Sequence, residues 1–309
     1  MGFMHIGLVG VGRWGKKHLS VLNELKKANQ INRITVIDHD EHALSKVTIA
    51  DEKLLDASRL KADGVIIATP SHTHAELAKS LLRSGHDLLV EKPLATDLNA
   101  ATQVMNLAQQ KGRLLYVGML LRHHLGIKKA KHLIQLGQIG RLNSITYQRK
   151  KTQQNHSDFP AMSQLGIHGI DLACFFAGEA EPTSTIFETS HEKGLASFFF
   201  PQGISAQIET EYSYSENISR IVLTGEKGSI IINPQEDQGL SLHQNGFAKH
   251  IPIQPSTKPL ILQTKSFLEE MRRKKQGDDW SHFPNFGASM RCLRLLEKAG
   301  ILEEIIRPN

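Results

Sequence analysis

Cysteine is scarce in this sequence. The 309 residues include two cysteines, Cys174 and Cys292, which lie far apart and match no metal-ligand spacing. Long apolar runs are also lacking, because no stretch approaches the roughly 18 consecutive apolar residues of a transmembrane helix. The first residues show no basic region followed by an apolar segment and a cleavage site, so we recognise no secretory signal. These absences predict a cytoplasmic protein with reduced thiols, no bound metal and no membrane association.

Basic residues are in excess, but no element concentrates them. The formal net charge is +6 at pH 7, and aromatic residues make up 6% of the chain. Lysine and arginine occur in short, scattered clusters, whereas a nucleic-acid-binding protein is expected to collect them on one element with interleaved aromatics. We therefore predict no nucleic-acid partner. A mild basic excess also suits an anionic small ligand.

The first third of the chain alternates strand-like and helix-like segments. Five short apolar segments predict buried strands: HIGLVG, RITVID, DGVIIAT, DLLVE and RLLYVGM. Helical patterns separate them, which is typical of parallel strands covered on both faces. Residues 1–120 are therefore predicted to form an α/β Rossmann domain with a doubly wound parallel sheet.

The pattern changes after residue 120. Strand-like segments without intervening helices follow between residues 184 and 233, and they predict an α+β domain with a mainly antiparallel open sheet over residues 121–309. Helices are predicted at 126–136, 260–273 and 286–304, and the terminal helix is expected to be able to pack back on the first domain. The segment from Asn245 to Pro259, which contains three prolines, is predicted to be a surface loop.

A glycine motif joins the first strand to the first helix. In GVGRWG, Gly10 would allow a tight turn, Gly12 would let the backbone approach a pyrophosphate, and Gly15 would let the helix pack closely on the strand. The helix N-terminus would then present N–H groups and a positive dipole end to the anion. The motif predicts a dinucleotide site whose loop includes Arg13 and Trp14. The alternative is a glycine turn without a ligand.

An acidic residue ends the second predicted strand. Asp38 follows Gly15 by 23 residues, and its carboxylate is placed to accept hydrogen bonds from the adenosine ribose. A 2′-phosphate would meet like charge there, and His39 is a weak substitute for an arginine, so NAD is predicted and NADP is disfavoured. The alternative is an aspartate that only caps the following helix.

Polar residues follow the third predicted strand, at the carboxyl edge where open α/β sheets bind ligands. Thr69, Pro70 and His72 stand directly after this strand, and His74 begins the next helical pattern. We predict that all four lie beside the cofactor. The two histidines are weak metal-ligand candidates because no third ligand is apparent, and an N-capping turn beside the cofactor is the favoured alternative.

A charged pair ends the next strand, in the stretch DLLVEKPLA. Pro93 restricts Lys92 to an extended backbone, and the bond between them is one that can be cis. At this edge Lys92 would lie near a nicotinamide ring, where its ammonium group would hydrogen-bond a substrate hydroxyl undergoing oxidation. Glu91 is counted with the cofactor-binding residues. The alternative is a surface ion pair between Glu91 and Lys92.

Four stretches together resemble a known family, that of glucose–fructose oxidoreductase and inositol dehydrogenase, also called Gfo/Idh/MocA. They are GVGRWG, ATPSHTHAE, EKP and LGIHGIDL, and the resemblance runs over essentially the whole chain. It implies a nucleotide-binding first domain, a second domain built on an open sheet, and NAD(P)-dependent oxidation or reduction of a sugar-like alcohol. It also implies a homodimer or homotetramer formed through that sheet.

The resemblance further implies which side chains surround the reacting atoms. In the family, the EKP lysine and a histidine from a D-x-G-x-H-x-x-D pattern line the reacting centre, and here Lys92 and His168 match them. Asp171 matches the last aspartate, whereas Gln164 stands where many members have the first. Glutamine can hydrogen-bond a hydroxyl but cannot titrate, which puts a carboxylate–histidine relay in doubt. Lys92 and His168 both stay open as the base.

The remaining candidates lie at the junction after the last predicted Rossmann strand. Family members often have an arginine there, so Arg122 is predicted to contact substrate together with Lys92, Gln164, His168 and Asp171. The adjoining His123 and His124 stay open between substrate contacts and polar interface residues.

Three functional hypotheses follow from the sequence. The first is an NAD(H)-dependent oxidoreductase that transfers hydride between nicotinamide and a secondary alcohol or ketone of a small polyhydroxylated substrate, namely a sugar, an inositol or a nucleotide sugar. The second is a catalytically weak, cofactor-binding sensor of the same fold, which Gln164 keeps open. The third is a redox-neutral cleavage that uses a retained NAD.

Overall fold

The structure is a computed structural model, and it describes residues 4–152, 159–235, 239–253 and 257–302. Its chain divides into two compact units. The first comprises Met1–Met119 with Leu260–Met290, and the second comprises Leu120–Pro259 with Arg291–Asn309. The predicted domains, 1–120 and 121–309, are each continuous in sequence, whereas the compact units are not.

The described residues form regular strands and helices along most of the chain. In chain order, the strands are β1 His5–Val9, β2 Arg33–Ile37, β3 Glu52–Leu54, β4 Gly64–Ile67, β5 Asp87–Glu91, β6 Leu115–Gly118, β7 Leu142–Lys150, β8 Ser184–Thr189, β9 Lys193–Phe199, β10 Ser205–Glu211, β11 Ile218–Gly225, β12 Gly228–Ile232, β13 Leu240–Gln244 and β14 Phe247–Ile251. The helices are α1 Arg13–Lys27, α2 Glu41–Ser45, α3 His74–Arg83, α4 Leu98–Gln110, α5 Leu125–Gln135, α6 Ile167–Phe176, α7 Pro259–Gln276 and α8 Phe286–Lys298.

The first unit contains a parallel sheet with the strand order β3-β2-β1-β4-β5-β6. β1 pairs with β2 on one side and with β4 on the other, so the direction of winding reverses between β1 and β4. In such sheets, ligands bind beyond the carboxyl ends of the strands at this reversal. Most residues of the central strands are apolar because the sheet is buried on both faces: every residue of β4 and β5 is buried.

The outer edge of this sheet is covered by a segment that is distant in sequence. Leu115 N–H donates to the His282 carbonyl at 3.0 Å, and Val117 N–H donates to the Pro284 carbonyl at 3.1 Å. Residues 282–284 therefore occupy the hydrogen-bonding edge of β6, which would otherwise be open to pairing with another chain.

The second unit contains a sheet with the order β14-β13-β12-β11-β7-β10-β9-β8. Its neighbouring strands are antiparallel except for the parallel pair β7 and β10. α6 packs on one face, where a Cβ at Gly169 would lie 2.5 Å from the Tyr147 ring and 2.9 Å from Ile208. The predicted fold class, an α/β Rossmann unit followed by an α+β unit with a mainly antiparallel sheet, is confirmed.

The predicted surface loop from Asn245 to Pro259 is wrong over its first half. β14 covers Phe247–Ile251 and pairs with β13, while residues 254–256 lie outside the described part of the chain. Asn245 and Gly246 have φ values of 50° and 79°, which is the backbone of the two-residue turn that asparagine–glycine favours in hairpins. The prolines that suggested a loop all follow this hairpin. The predicted terminal helix ends at Lys298, and residues 303 and 304 lie outside the described part.

No helix among the described residues has both the length and the apolar character needed to cross a bilayer.

Candidate functional site

The loop between β1 and α1 requires glycine at two positions for different reasons. Gly10 has a φ of +92°, which a side chain rarely permits, and an added Cβ would lie 2.9 Å from the Ala68 carbonyl oxygen. A Cβ on Gly15 would lie 1.9 Å from the Gly10 carbonyl oxygen, so only glycine lets the helix approach the loop this closely. The predicted roles of both glycines in the turn and in close packing agree with these distances.

The start of α1 could hold an anion. Gly12 precedes the first turn, makes no side-chain cap and has open space around the position of a Cβ. The first turn contains Arg13 and Trp14 and no acidic residue, and Lys17 Nζ lies 4.3 Å from the centroid of the Trp14 ring. Positive dipole, open backbone and basic neighbours together fit a pyrophosphate.

Asp38 is held against the glycine loop. Its Oδ2 accepts a hydrogen bond from Val11 N–H at 2.8 Å, and its Oδ1 accepts one from Asp40 N–H at 3.0 Å. The side chain of Asp38 is 12% exposed, whereas that of His39 is 98% exposed. The alternative in which an aspartate only caps the next helix applies instead to Asp40, whose carboxylate accepts from His42 and Ala43 N–H.

The residues after β4 form a short turn with one buried histidine. Thr69 and Thr73 join their hydroxyls at 2.7 Å, and Pro70 and His72 are exposed. His74 is 1% exposed, and its Nδ1 and Nε2 lie 2.7 Å from the Pro93 carbonyl oxygen and 2.9 Å from the Thr69 carbonyl oxygen. Burial lowers the pKa of His74. The ring therefore packs between two main-chain segments of the same unit.

The segment after β5 is anchored through Glu91. Glu91 is 7% exposed, which does not fit a surface ion pair. Its Oε1 lies 2.8 Å from Nε2 of His18 on α1, and its Oε2 accepts a hydrogen bond from Lys92 N–H at 3.3 Å. Lys92 itself is half-buried, and the Lys92–Pro93 bond is cis.

The second unit carries the histidine motif on a buried helix. A π-helical turn, Met162–Gly166, leads directly into α6. Between residues 161 and 174 every residue is buried except Gln164 and His168, which are half-exposed. Residues four apart lie near each other on a helical surface. Of the three residues of this motif that are predicted to contact substrate, Gln164 and His168 are therefore accessible, whereas Asp171 is buried.

Arg122 and Asp171, predicted to contact substrate, contact each other. Arg122 Nε donates to both carboxylate oxygens of Asp171 at 2.9 and 3.0 Å, and Nη2 donates to Oδ1 at 2.7 Å. Arg122 also pairs with Glu179 at 2.7 Å, and Arg291 approaches the same carboxylate at 3.0 Å. Asp171 is 2% exposed, so this network places its charge in the interior of the unit.

The network also shifts the pKa values of its members. Burial alone would lower the pKa of the Arg122 guanidinium, but its hydrogen bonds to Asp171 and Glu179 outweigh this and raise the pKa. Burial would likewise raise the pKa of Glu179, but Arg122 and Arg291 lower it. Burial raises the pKa of the Asp171 carboxyl group, although its hydrogen bonds to Arg122 act in the opposite direction. Arg122 and Glu179 are therefore charged near neutral pH, and Arg122 hydrogen-bonds both carboxyl groups.

Sequence reasoning missed His18, Glu179 and Arg291. His18 had a detectable signal, because it stands three residues after Gly15 and shares a helix face with the buried Leu22 and Leu25. A histidine on such a face needs a polar partner. No sequence signal pointed to Glu179 and Arg291, because they lie more than a hundred residues apart and contact each other only in the folded unit.

In the described residues, no group of three or more histidine, cysteine, aspartate or glutamate side chains could hold a metal ion.

Two sequence models of one family match most of the chain. A model described as the oxidoreductase family, NAD-binding Rossmann fold, matches residues 4–119, and a model of the same family's C-terminal alpha/beta domain matches residues 131–295. The chain therefore belongs to the Gfo/Idh/MocA family of oxidoreductases, as the sequence resemblance predicted.

Individual relatives are similar at low identity. The chain is 27% identical to inositol 2-dehydrogenase 2 of Saccharopolyspora erythraea over 253 residues, which covers 75% of this chain and 74% of that protein. It is 24% identical to 2,7-anhydro-N-acetylneuraminate hydratase of Escherichia coli over 272 residues, covering 81% and 73%. A crystal structure of a 3-ketoreductase from Actinomadura kijaniata, in complex with TDP-benzene and NADP, has a TM-score of 0.81 at 17% identity and covers 96% of both chains.

The family and its named dehydrogenases define the class of enzyme. The chain is an NAD(P)-dependent dehydrogenase acting on CH–OH groups. The structural likeness to the ketoreductase establishes the shared fold.

Proposed function

We propose that this enzyme uses NAD in preference to NADP and oxidises a secondary alcohol, or reduces the matching ketone, of a sugar, an inositol or a nucleotide sugar. The observation that carries the proposal is the accessible pair Gln164 and His168 in an otherwise buried run. An amide and an imidazole side by side can bind adjacent hydroxyls, which is the chemistry that a polyhydroxylated ring presents.

The residues proposed to hold the cofactor belong to the first unit. They surround the glycine loop and the carboxyl ends of β2, β4 and β5, and they are Gly10, Gly12, Arg13, Trp14, Gly15, Asp38, Thr69, Pro70, His72, His74, Glu91 and Lys92. Within this set, Gly12 and the first turn of α1 suit the pyrophosphate. His74 and Glu91 are buried, so they would support the site through the backbone rather than touch the cofactor.

The preference for NAD rests on Asp38. Its carboxylate is fixed by the Val11 N–H and is partly accessible, so it can accept hydrogen bonds from a ribose diol. The same charge would repel a 2′-phosphate. We expect NADH to bind at least tenfold more tightly than NADPH, and Asp38→Asn to narrow that ratio.

Side chains of this enzyme would accept the proton that the substrate hydroxyl loses. The nicotinamide, when bound, supplies hydride acceptance and donation. Lys92 or His168 would take the proton of the substrate hydroxyl, and Gln164 would orient a neighbouring hydroxyl. Histidine is suited to this near neutral pH without help, while a lysine needs its pKa lowered. Arg122 and Asp171 are proposed to act on the substrate only indirectly, because each is the other's main partner.

A panel of sugars, inositols and nucleotide sugars, followed by NADH absorbance, tests the proposal. Lys92→Ala should lower kcat at least a thousandfold and leave the NADH dissociation constant within about threefold, because this variant removes a proton-transfer group and not the phosphate cradle. The exposed Lys53→Ala is the matched control. Turnover retained in Lys92→Ala would remove the role given to that residue.

The same measurements could reveal a reaction without net oxidation or reduction. If the purified protein retains bound NAD and converts a substrate with no net change in absorbance, the reaction is redox-neutral. The likeness to the hydratase makes this outcome worth measuring.

We also propose that the protein is a homodimer or homotetramer formed through the sheet of the second unit. One face of that sheet carries α6, and on the opposite face Val222 and Ile231 form a half-exposed cross-strand pair. Half-exposed aliphatic pairs on a sheet face suit burial against a second copy.

A further inference from the structure

Two buried histidines contact the segment that carries Lys92. His18 reaches it from α1 through Glu91, and His74 reaches it from α3 through the carbonyl of Pro93. Both are essentially inaccessible, at 0% and 1% exposure. Neither ring has a place in the proton transfer proposed above, so their burial needs another explanation.

The contact between His18 and Glu91 fixes a carboxylate at one end of this segment. A buried carboxylate is costly unless it is hydrogen-bonded, and here both oxygens have a partner. Nδ1 of His18 is buried with no partner among the described residues. The proton of a neutral ring is therefore best placed on Nε2, where it is donated to Glu91, because an ionised carboxylate can only accept a hydrogen bond.

The contact between His74 and Pro93 fixes the other end. A neutral imidazole has one N–H, and the Pro93 carbonyl, at 2.7 Å, is the nearer of its two acceptors. The second ring nitrogen faces the Thr69 carbonyl in the turn after β4. One side chain thus joins the turn after β4 to the turn after β5.

We propose that His18 and His74 are positioning residues that hold the backbone of Glu91, Lys92 and Pro93 from both sides and thereby set the place of the Lys92 amine. The inference rests on the proposed function, in which Lys92 meets the substrate hydroxyl. It adds that the position of the amine depends on the helix that starts at the glycine loop. His18 lies six residues into α1, which is about 9 Å from the proposed pyrophosphate position.

We call this pair of contacts, from His18 and His74 to residues 91–93, the brace. Hydrogen exchange at the Lys92 amide tests the brace without reference to catalysis. His18→Leu and His74→Leu should each speed exchange at this amide about tenfold or more. The first variant removes the partner of Glu91, which accepts the Lys92 N–H, and the second removes the partner of the Pro93 carbonyl on the other side of Lys92. His86→Leu is the matched control: this histidine is 6% exposed and its Nδ1 contacts the Ala62 carbonyl, but at the opposite end of β5. Peptides from the buried strands β4 and β6 of the same unit serve as an internal reference for its unfolding.

Kinetics then test whether the brace serves Lys92. The leucine variants should lower kcat about ten- to a hundredfold with less than a threefold change in the KM for NAD. His18→Gln and His74→Asn keep a donor near the positions of Nε2 and Nδ1, respectively. They should restore most of the wild-type exchange rate and kcat, and they also serve where a leucine variant fails to fold.

The outcomes separate the two proposals. If the exchange rate at the Lys92 amide in every folded variant equals that of the His86→Leu control, the brace is overturned, whatever the turnover. Faster exchange with unchanged kcat, in an enzyme that Lys92→Ala inactivates, overturns the positioning role. Turnover retained in Lys92→Ala overturns the proposed function of the lysine, while the exchange result still decides the brace.

Discussion

Gly12 and Gly15 belong to one loop but have opposite surroundings. An added Cβ meets nothing within 4 Å at Gly12, whereas at Gly15 it would lie 1.9 Å from a main-chain oxygen. The same substitution therefore has different physical consequences three residues apart.

Alanine at the two positions should separate folding from binding. We expect Gly15→Ala to lower the free energy of unfolding by about 3 kcal/mol or more, because backbone has to move to admit the methyl group. Gly12→Ala should leave that free energy within about 1 kcal/mol and weaken NADH binding at least tenfold. Urea unfolding and NADH fluorescence titration measure the two quantities. A Gly12→Ala protein that binds NADH normally would contradict the assignment of the phosphate cradle.

His123 should make stability depend on pH. Burial, followed by the nearby Lys128 and Arg122 charges, lowers the pKa of His123 from its ordinary 6.5 to about 4. Between these values the unfolded chain binds more protons than the folded one, so the free energy of unfolding falls as the pH falls. The contribution of this group is fully present above about pH 6.5 and is lost progressively toward pH 4.

A single substitution isolates this contribution. Between pH 7 and pH 5 the wild type should lose about 2 kcal/mol more unfolding free energy than His123→Gln, on the basis of 1.36 kcal/mol for each unit of pKa difference. Denaturant unfolding at both pH values gives the comparison, and His132→Gln, at an exposed position of α5, is the control. Equal losses in wild type and His123→Gln would refute the assignment.

At the scale of elements, the pairing of Arg122 with Asp171 joins a short turn to helix α6. Arg122 lies in the 3₁₀ turn Leu120–His123 and Asp171 lies in the second turn of α6. Because the aspartate is 2% exposed, removing the arginine would leave a buried charge without its main partner.

Arg122→Leu should therefore act on stability. We expect the free energy of unfolding to fall by roughly 3 to 5 kcal/mol, and the double variant Arg122→Leu/Asp171→Leu to lose less, because it buries no unpaired carboxylate. Arg294→Leu removes an exposed partner of Glu181 and should cost less than about 1 kcal/mol. A stable Arg122→Leu enzyme with a strongly raised KM for substrate would instead support the direct contact predicted from sequence.

Sequence periodicity predicted most elements because their burial is regular. The strands β1, β2, β4, β5 and β6 are short apolar runs, and such runs form only where both faces of a sheet are covered. β3 has three residues and one apolar side chain, and β14 has mostly exposed side chains, so neither has a hydrophobic pattern. Asparagine–glycine at 245–246 is the one local signal for the hairpin of β13 and β14, and it stands beside a proline-rich stretch that favours a loop.

The parts of the candidate site that depend on local sequence could be predicted, whereas the parts that depend on contacts between distant residues could not. Glycine spacing and the strand-end Lys92 follow from local sequence. The pairing of Arg122 with Asp171, and of His18 with Glu91, joins residues 49 and 73 positions apart, and no periodic pattern encodes such distances. Burial of polar groups could only be judged once the elements had packed.

At the scale of the whole molecule, the proposed oligomer can be tested on the exposed face of the second sheet. Ile231 is half-exposed and lies opposite Val222, while its neighbours Ile230 and Ile232 are buried. Ile231→Glu should shift the mass measured by light scattering toward the monomer, because a carboxylate in an apolar contact is costly to desolvate. Lys227→Glu in the adjoining turn changes charge outside the sheet face and should leave the mass unchanged. An oligomer that survives Ile231→Glu, with an unaltered melting temperature, argues for another interface.

The pairing of residues 282–284 with the edge of β6 also affects how the protein folds during synthesis. β6 ends at Gly118, but the residues that pair with it, His282 and Pro284, are synthesised only after most of the second unit. At the usual speed of translation, roughly 10 to 30 s separate the two events. For that time the nascent parallel sheet has an open edge, at which mispairing or chaperone binding would be concentrated. The first unit therefore stays incomplete on the ribosome until residues 282–284 have been synthesised.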